Sequence, residues 1–169
     1  MNALVTGGGG FLGTAVIRRL VERGWSVRSF CRRRYPHLES LGVEQMQGDL
    51  ADEEAVSEAV REVDLVLHIG AKAGVWGKRE DFIRANIEGT RNVLSACRRC
   101  GVRRLVYTSS PSVVFPAGDM EGATEDVPYP KSYRSHYPAT KAVAERMVRE
   151  AAGSDLATVS LRPHLLWGP

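Results

Sequence analysis

The stretch Thr6-Gly7-Gly8-Gly9-Gly10-Phe11-Leu12-Gly13 joins a short apolar run to an amphipathic segment. The apolar run, Asn2–Thr6, indicates a buried strand, and residues 11–23 repeat apolar side chains at helical spacing. A glycine-rich turn from strand to helix brings backbone close to a pyrophosphate and points the helix N-terminus at its charge. The spacing therefore predicts a dinucleotide-binding turn, with a ligand-free glycine turn as the alternative.

Strands and helices alternate along the rest of the chain. Further strands are predicted at residues 26–30, 44–47, 64–68, 104–108 and 157–161. Helices are predicted at residues 53–61, 80–100 and 137–152, and a proline-rich loop at residues 111–130. This alternation predicts an α/β fold, a doubly wound parallel sheet (Rossmann fold) of about six strands with helices on both faces.

The composition is that of an ordinary globular domain. The chain has 169 residues, 43% of them hydrophobic and 25% charged, which fits one domain. A net charge of +3, with basic residues clustered only at residues 32–34, argues against a nucleic-acid partner. No apolar run approaches the ~20 residues of a membrane span. The start lacks the features of a signal peptide, so we expect a cytoplasmic protein.

Tyr137 and Lys141 lie four residues apart on a predicted helix, so both side chains project from one face. A phenol is a poor acid–base group at neutral pH, and a nearby ammonium lowers its pKa. A tyrosine and a lysine at this spacing often occur by chance, so the spacing alone does not indicate a catalytic pair. Its position after Ser109-Ser110, at the end of the predicted fifth strand, favours a catalytic pair because α/β sheets bind ligands at strand ends.

The whole chain, Met1 to Pro169, resembles the extended short-chain dehydrogenase/reductase family. Besides the glycine turn, the matching motifs are Gly48-Asp49-Leu50, Asn86 with Gly89-Thr90-Arg91-Asn92-Val93-Leu94, Tyr107-Thr108-Ser109-Ser110, Tyr137-Pro138-Ala139-Thr140-Lys141 and Leu161-Arg162-Pro163. The resemblance implies a nicotinamide cofactor, with residues 1–169 as its binding domain.

The same resemblance assigns roles to individual residues. It implies that Tyr137 transfers the proton, that Lys141 also binds the nicotinamide ribose, and that Ser110 stabilises the substrate oxygen, with Ser109 as the alternative. Asn86 matches a structural or proton-relay asparagine, and a buried hydrogen bond within a helix is the other interpretation. The expected cofactor contacts are Gly7, Gly10, Phe11, Leu12, Gly13, Arg32, Asp49, Leu50, Ala71, Lys141, Pro163 and Leu165.

The end of the second strand bears on the choice of cofactor. In NAD-specific members an acidic residue there binds the ribose 2′-hydroxyl. Here Cys31 takes that position and Arg32-Arg33-Arg34 follow. A guanidinium can pair with a 2′-phosphate, so we expect NADP rather than NAD, with Arg32 best placed. A solvated arginine run is the alternative. Asp49 is expected at the adenine, or else as a turn or helix-cap residue.

Other segments indicate a branch of the family. Residues 104–115, 124–129 and 162–169 are similar to the 3β-hydroxysteroid dehydrogenase branch. Within it, residues 71–77 and Arg34-Tyr35-Pro36 are most similar to bacterial 2-alkyl-3-oxoalkanoate reductases, which implies a bulky, lipid-like ketone or alcohol. Trp76 is expected to line the substrate pocket or to be packed. Nucleotide-sugar epimerases and dehydratases share the scaffold and remain an alternative.

Members of this branch continue beyond the Arg-Pro motif into a substrate lobe, which we expect this chain to lack. A non-catalytic dinucleotide-binding module is therefore a further alternative. The resemblance also implies a homodimer through a four-helix bundle. Cys97 and Cys100 have the spacing of a metal or redox pair, but no second cysteine pair or histidine cluster accompanies them, so we expect structural cysteines and no metal site.

Overall fold

The computed structural model describes residues 1–115 and 120–168. Its strands are β1 (Asn2–Thr6), β2 (Ser26–Cys31), β3 (Glu44–Gln47), β4 (Leu65–His68), β5 (Arg104–Thr108) and β6 (Ala157–Leu161). Its α-helices are α1 (Phe11–Glu22), α2 (Pro36–Glu39), α3 (Glu53–Val60), α4 (Arg79–Phe82), α5 (Gly89–Arg99) and α6 (His136–Glu150). Residues 116–119 of the predicted loop and Pro169 lie outside the described residues.

All six strands form one parallel sheet in the order β3-β2-β1-β4-β5-β6. The order reverses at β1, whose neighbours β2 and β4 lead to opposite edges of the sheet. A crevice at the carboxyl ends of the strands forms at such a reversal, and ligands bind there in open α/β sheets. The predicted doubly wound fold is confirmed, and the glycine turn follows the strand where the order reverses.

Helices cover both faces of the sheet, because the central strand β1 carries apolar side chains on each face. Leu4 faces a core cluster that includes residues of α3, α5 and α6. Ala3 and Val5 face a second cluster, which includes Ile17 and Leu20 of α1. All three β1 side chains are at most 1% exposed. Alternate side chains of a strand point to opposite faces, so an unbroken apolar run is what a strand covered on both sides requires.

The predicted helix over residues 80–100 is three consecutive segments rather than one. Between α4 and α5 lies a π-helical segment, Ile83–Glu88. A π turn contains one more residue than an α turn, and periodicity analysis at 3.6 residues does not detect such a change. The short helix α2 and a 3₁₀ turn at Pro111–Val113, within the predicted loop, were also missed. No helix among residues 1–115 and 120–168 is long and apolar enough to cross a membrane.

Candidate cofactor and catalytic site

A cleft of about 940 Å³ opens along the carboxyl ends of β1, β2 and β4. Its walls come from the glycine turn, the segment after β2, the loop after β3 and the loop after β4. Nine of the predicted cofactor residues line it: Gly7, Gly10, Phe11, Leu12, Gly13, Arg32, Asp49, Leu50 and Ala71. Sequence motifs scattered over the first half of the chain are thus brought to one surface.

The glycines of the turn are required for different reasons. A Cβ on Gly7 would lie 2.7 Å from the Gly70 Cα, and one on Gly13 would lie 2.3 Å from the Gly7 carbonyl oxygen. Close backbone packing therefore excludes side chains at Gly7 and Gly13. A Cβ on Gly10 would meet only the Gly7 oxygen, at 3.4 Å, so the fold itself tolerates a side chain there. Since Gly10 lines the cleft, its missing side chain leaves room for a ligand.

The start of α1 fits an anionic group. The helix begins after Gly10, whose φ of −82° and ψ of 171° are extended, and no described side chain caps it. The first N–H groups of a helix have no acceptor within the helix, and the helix dipole favours negative charge there. Phe11, Leu12 and Gly13 form this first turn and line the cleft. The glycine turn and the start of α1 together fit a pyrophosphate group.

The wall after β2 is arranged around Cys31 and Tyr35. The Gly9 amide donates to the Cys31 Sγ at 3.3 Å, where a carboxylate would mark a site for a ribose 2′-hydroxyl. Arg32 and Arg33 both line the cleft. The Arg33 Nε donates to the Tyr35 hydroxyl at 3.2 Å, and its guanidinium carbon lies 5.4 Å from the centroid of the Tyr35 ring. Arg33 is therefore held in place on the cleft wall.

Asp49 is a turn residue that also lines the cleft. Its carboxylate accepts a hydrogen bond from the Ala51 amide at 3.0 Å, as a turn residue does. Its other oxygen pairs with Arg84 at 3.1 Å, and both side chains face the cleft. The helix cap itself is Asp52, which accepts from the Glu54 and Ala55 amides at the start of α3.

The catalytic candidates lie at the end of β5 and the start of α6. Burial raises the pKa of Tyr137, and a hydrogen bond with Ser110 acts in the opposite direction. The Ser110 Oγ lies 2.8 Å from the Ser112 Oγ. Ser109 is 3% exposed, whereas Ser110 is only partly buried. The structure thus brings Ser110 and Tyr137 together and favours Ser110 over Ser109 as the accessible hydroxyl.

Lys141 is almost completely buried. Its Nζ donates to the Thr108 carbonyl oxygen at 2.6 Å and lies 4.1 Å from the centroid of the Tyr107 ring. Burial lowers the pKa of Lys141 to about 7, and Glu145 partly opposes this shift. The expectation that the ammonium lowers the pKa of Tyr137 is not met in this arrangement, because burial dominates that phenol and Lys141 is directed at Thr108.

Sequence reasoning missed an ion pair behind Lys141. Glu145, one turn further along α6 and 1% exposed, accepts hydrogen bonds from Arg162 and from the Tyr129 hydroxyl at 2.6 Å. Burial alone would raise the pKa of Glu145, but hydrogen bonds, led by that of Arg162, hold it below its usual value. A glutamate four residues after the lysine was a visible signal. Its partner Arg162, which follows β6, could not be identified from the spacing of residues along the sequence.

Asn86 lies in the π-helical segment and is 2% exposed. Its Oδ1 accepts from the Lys72 amide at 2.7 Å, and its Nδ2 donates to the Lys72 carbonyl and to the Thr140 Oγ1, each at 3.0 Å. Thr140 lies one residue before Lys141 on α6. The amide of Asn86 thus fastens the loop after β4 to the helix of the catalytic pair, which matches the structural interpretation.

His68, at the end of β4, continues this network toward the glycine turn. Its Nε2 lies 3.0 Å from the Thr90 Oγ1, and its Nδ1 lies 2.7 Å from the Thr6 Oγ1. The Thr90 hydroxyl donates to the Asn86 carbonyl, so it must accept from His68 Nε2–H. The Thr6 hydroxyl then donates to Nδ1. Burial, with a smaller contribution from Lys141, lowers the pKa of His68 to about 3, so the ring is neutral.

The remaining predicted residues lie elsewhere. Ser110, Tyr137, Lys141 and Asn86 do not line the described cleft, and neither do Pro163 and Leu165. Leu165 is 78% exposed. Cys97 lies on α5 and packs in the core cluster that contains Leu4, and this burial raises its pKa to about 12. Trp76, which was expected either to pack or to line a pocket, is 90% exposed.

The chain is similar to known proteins in sequence and in fold. The chain is 54% identical over 171 residues to a 2-alkyl-3-oxoalkanoate reductase of Stenotrophomonas maltophilia, covering 100% of this chain and 52% of that one. The chain spans about half the length of the curated relatives it matches. The substrate in each of those names is the substrate of the named relative.

Among the solved structures that share the fold are two that contain NAD and are at least 35% identical to this chain. A short-chain dehydrogenase/reductase superfamily protein from Agrobacterium tumefaciens with bound NAD has a TM-score of 0.84 and 37% identity, over 96% of this chain and 48% of that one. A UDP-glucose 4-epimerase from Thermus thermophilus in complex with NAD has a TM-score of 0.83 and 35% identity, over 96% and 54%. The family model that matches residues 4–169 is that of the 3-beta hydroxysteroid dehydrogenase/isomerase family, and the chain belongs to that family.

Proposed function

We propose that the chain binds NADP(H) and provides the catalytic group of an oxidoreductase that interconverts a ketone and a secondary alcohol. The observation that carries the proposal is the position of Tyr137 and Lys141. They lie on one face of α6 beside Ser110, at the carboxyl end of a sheet whose glycine turn fits a pyrophosphate. When bound, a nicotinamide supplies a hydride to the carbonyl carbon, or accepts one from the alcohol.

The roles of the side chains follow from their surroundings. Tyr137, whose pKa is raised by burial, is protonated at neutral pH and can donate its proton to the oxygen of a ketone. Ser110 can donate a hydrogen bond to the same oxygen and stabilise its developing negative charge. Lys141, with a pKa of about 7, places a readily titrated ammonium one turn from Tyr137.

The proposed preference for NADP rests on the wall after β2. Cys31 offers no carboxylate that would repel a 2′-phosphate, and Arg32 and Arg33 both line the cleft. Arg32 is the arginine expected to be best placed, and Arg33, which contacts Tyr35 on the same wall, is a second candidate for the 2′-phosphate. NAD in the Agrobacterium structure keeps NAD as the alternative. The ratio of the NADPH and NADH dissociation constants decides between them.

A bulky, lipid-like substrate is proposed from the family and from exposed apolar side chains. The matching family is named for hydroxysteroids, and the Stenotrophomonas relative for an alkyl oxoalkanoate. Trp76 and Val75, in the loop after β4, are 90% and 67% exposed. Since Trp76 does not pack within the described chain, it is available to contact an apolar substrate.

The central experiment compares the unaltered chain with Tyr137→Phe. Turnover of a 2-alkyl-3-oxoalkanoate by the variant should fall by at least about a hundredfold, because the proton donor is removed. NADPH binding, followed by fluorescence, should stay within about twofold, since the ring is retained. A variant with an unchanged rate, or an unaltered chain that binds neither dinucleotide, would contradict the proposal.

Two other functions give different results in the same assays. A nucleotide-sugar epimerase, favoured by the likeness to the Thermus enzyme, would convert UDP-glucose without net consumption of NADPH. A non-catalytic module would bind the dinucleotide and show no turnover that depends on Tyr137. The same assay on a longer form of the chain tests whether turnover requires residues beyond Pro169.

We also propose a homodimer, as in the four-helix arrangement expected from the resemblance. The segment from α4 through α5 and the helix α6 would supply two helices from each protomer. Light scattering at micromolar concentration should give twice the mass of the chain, and a monomer would exclude this arrangement.

A further inference from the structure

A chain of buried polar side chains connects the glycine turn with the start of α6. Its members come from five different elements and are at most 5% exposed: Thr6, His68, Thr90, Asn86 and Thr140. A polar side chain this deeply buried costs stability unless it is hydrogen-bonded. The bonds between these five residues therefore decide whether the chain is a rigid connection.

The chain begins directly at the glycine turn. Thr6 is the residue before Gly7, and its hydroxyl donates to the His68 Nδ1 at 2.7 Å. The same oxygen accepts from the Ile69 and Gly70 amides at 3.1 and 3.0 Å. Gly70 is also the residue against which Gly7 packs, since a Cβ on Gly7 would lie 2.7 Å from the Gly70 Cα. Thr6 therefore fixes the loop after β4 against the turn.

From His68 the chain continues to the helix that carries Tyr137. The His68 Nε2–H donates to the Thr90 hydroxyl at 3.0 Å, and that hydroxyl donates to the Asn86 carbonyl at 2.7 Å. The Asn86 amide donates in turn to the Thr140 hydroxyl at 3.0 Å. The Thr140 oxygen lies 3.0 Å from the Tyr137 carbonyl oxygen. The chain thus ends at the backbone of the proposed proton donor.

The hydrogen bonds of this chain run in one direction. Each threonine hydroxyl uses its single proton toward the next member, and His68 accepts on one ring nitrogen and donates from the other. Removing one member leaves its buried neighbours without a partner, so a fully bonded network of this kind is rigid. Neither His68 nor Thr90 lines the described cleft, so contact with a ligand there does not account for them.

We infer that His68 is a positioning residue that holds the start of α6 in a fixed relation to the glycine turn, so that a ligand bound at the turn changes the surroundings of the Tyr137 phenol. His68 acts through Thr90, Asn86 and Thr140 and not by contact with the reacting atoms. A misplacement of about 1 Å can cost on the order of a hundredfold in rate, so the alignment matters for hydride and proton transfer. The inference rests on the proposed function and specifies how its two parts are aligned.

The test uses ADP or its 2′-phosphate in place of the dinucleotide. This fragment carries the pyrophosphate but neither the nicotinamide nor its ribose, so it fits the glycine turn without the part assigned to Tyr137 and Lys141. Carbon-13 NMR at tyrosine Cζ follows the phenol, with its resonance assigned from Tyr137→Phe. Saturating fragment should shift the Tyr137 resonance of the unaltered chain. Thr90→Val should abolish the shift and keep the dissociation constant of the fragment within about twofold, because Thr90 does not line the cleft.

Three further variants serve as controls. Thr90→Ser retains the hydroxyl and should retain the shift. His68→Phe keeps an aromatic ring beside Tyr107, whose ring centroid lies 5.5 Å away, and should lose the shift as Thr90→Val does. Thr158→Val removes a comparable hydroxyl bond to α6, 2.9 Å from the Val148 carbonyl oxygen, that is not part of the chain. It should leave the shift unchanged.

Turnover provides a second measure. Thr90→Val should lower kcat at least about tenfold and keep KM for NADPH within about twofold, whereas Thr90→Ser should stay close to the unaltered chain in both. The inference is overturned if Tyr137 in the unaltered chain does not respond to the fragment, if the response survives Thr90→Val, or if Thr158→Val abolishes it as well. Those results leave NADPH binding, and with it the proposed function, intact. A chain that binds neither the fragment nor NADPH overturns the proposed function and this inference with it.

Discussion

The ammonium of Lys141 lies 4.1 Å from the centre of the Tyr107 ring, so a buried cation rests against the face of an aromatic side chain. Both residues are at most 2% exposed. In so dry a setting the attraction between a cation and a ring is at the upper end of its range, about 2 kcal/mol. Tyr107 therefore supports the charged form of Lys141, together with the Thr108 carbonyl that accepts its hydrogen bond.

Two replacements of Tyr107 should distinguish the contribution of its ring to stability from that of its hydroxyl. That hydroxyl is buried and has no hydrogen-bond partner among the described residues. Tyr107→Phe should thus leave the free energy of unfolding unchanged or raise it by up to about 1 kcal/mol. Tyr107→Leu removes the ring and should lower it by about 2 kcal/mol or more. Urea denaturation measures both, and equal destabilisation by the two changes would contradict this account.

The stability should depend on pH through Lys141. Burial lowers its pKa to about 7, whereas the unfolded chain keeps the ordinary value of 10.5. Between these values the unfolded state holds a proton that the folded state does not, so the free energy of unfolding rises with pH. Relative to Lys141→Met, the unaltered chain should gain about 1 kcal/mol per pH unit from pH 7.5 to 9. Parallel pH profiles for the two proteins would exclude the lowered pKa.

Gly10 and Gly13 should respond differently to an added methyl group. Gly10→Ala meets nothing closer than 3.4 Å within the protein, so it should leave the melting temperature nearly unchanged and weaken NADPH binding at least about tenfold. Gly13→Ala would press on the Gly7 carbonyl at 2.3 Å and should destabilise the fold by about 2 kcal/mol or more. Calorimetric melting and fluorescence titration of both variants distinguish ligand space from backbone packing.

Loss of the Glu145 charge should be costly to the fold. Glu145→Gln leaves Arg162, whose side chain is 17% exposed, without its anion, and we expect a loss of about 3 kcal/mol in stability. The combined change Glu145→Gln with Arg162→Met should cost less than the sum of the single changes, because the stranded guanidinium is removed. Additive losses in urea denaturation would show that the pair is not coupled.

His68 should remain neutral over the whole physiological range. Burial lowers its pKa to about 3, and the donor pattern of Thr90 fixes the proton on Nε2. Nitrogen-15 NMR should show the Nε2–H tautomer without titration between pH 5 and 8. A His68 that titrates near pH 6.5 would disprove the buried hydrogen-bond chain from Thr6 to Asn86.

Local patterns were sufficient for the fold and for the cleft. The strand, turn and helix around Gly7 and Gly13 follow from a short stretch of sequence, and the structure places nine of the predicted cofactor residues on one surface. The order of the strands was not predicted, because alternating strands and helices indicate a covered parallel sheet but are compatible with more than one order.

What the sequence did not reveal depends on distant partners. The buried carboxylate of Glu145 needs Arg162 from beyond β6, and no spacing rule connects them. The direction of the pKa shift of Tyr137 depends on how deeply the phenol is buried and on where the Lys141 ammonium is directed. Which glycine of the turn is required by packing and which by a ligand becomes visible only when the neighbouring backbone is in place.

The π-helical segment at Ile83–Glu88 has a consequence for how this region tolerates insertions and deletions. One surplus residue in a turn rotates everything after it by roughly 100° about the helix axis. Deleting a single residue there would restore a regular α-helical phase and turn the Asn86 amide away from Lys72 and Thr140. The length of this turn, and not only the identity of its asparagine, therefore sets the angular alignment between the loop after β4 and the catalytic helix.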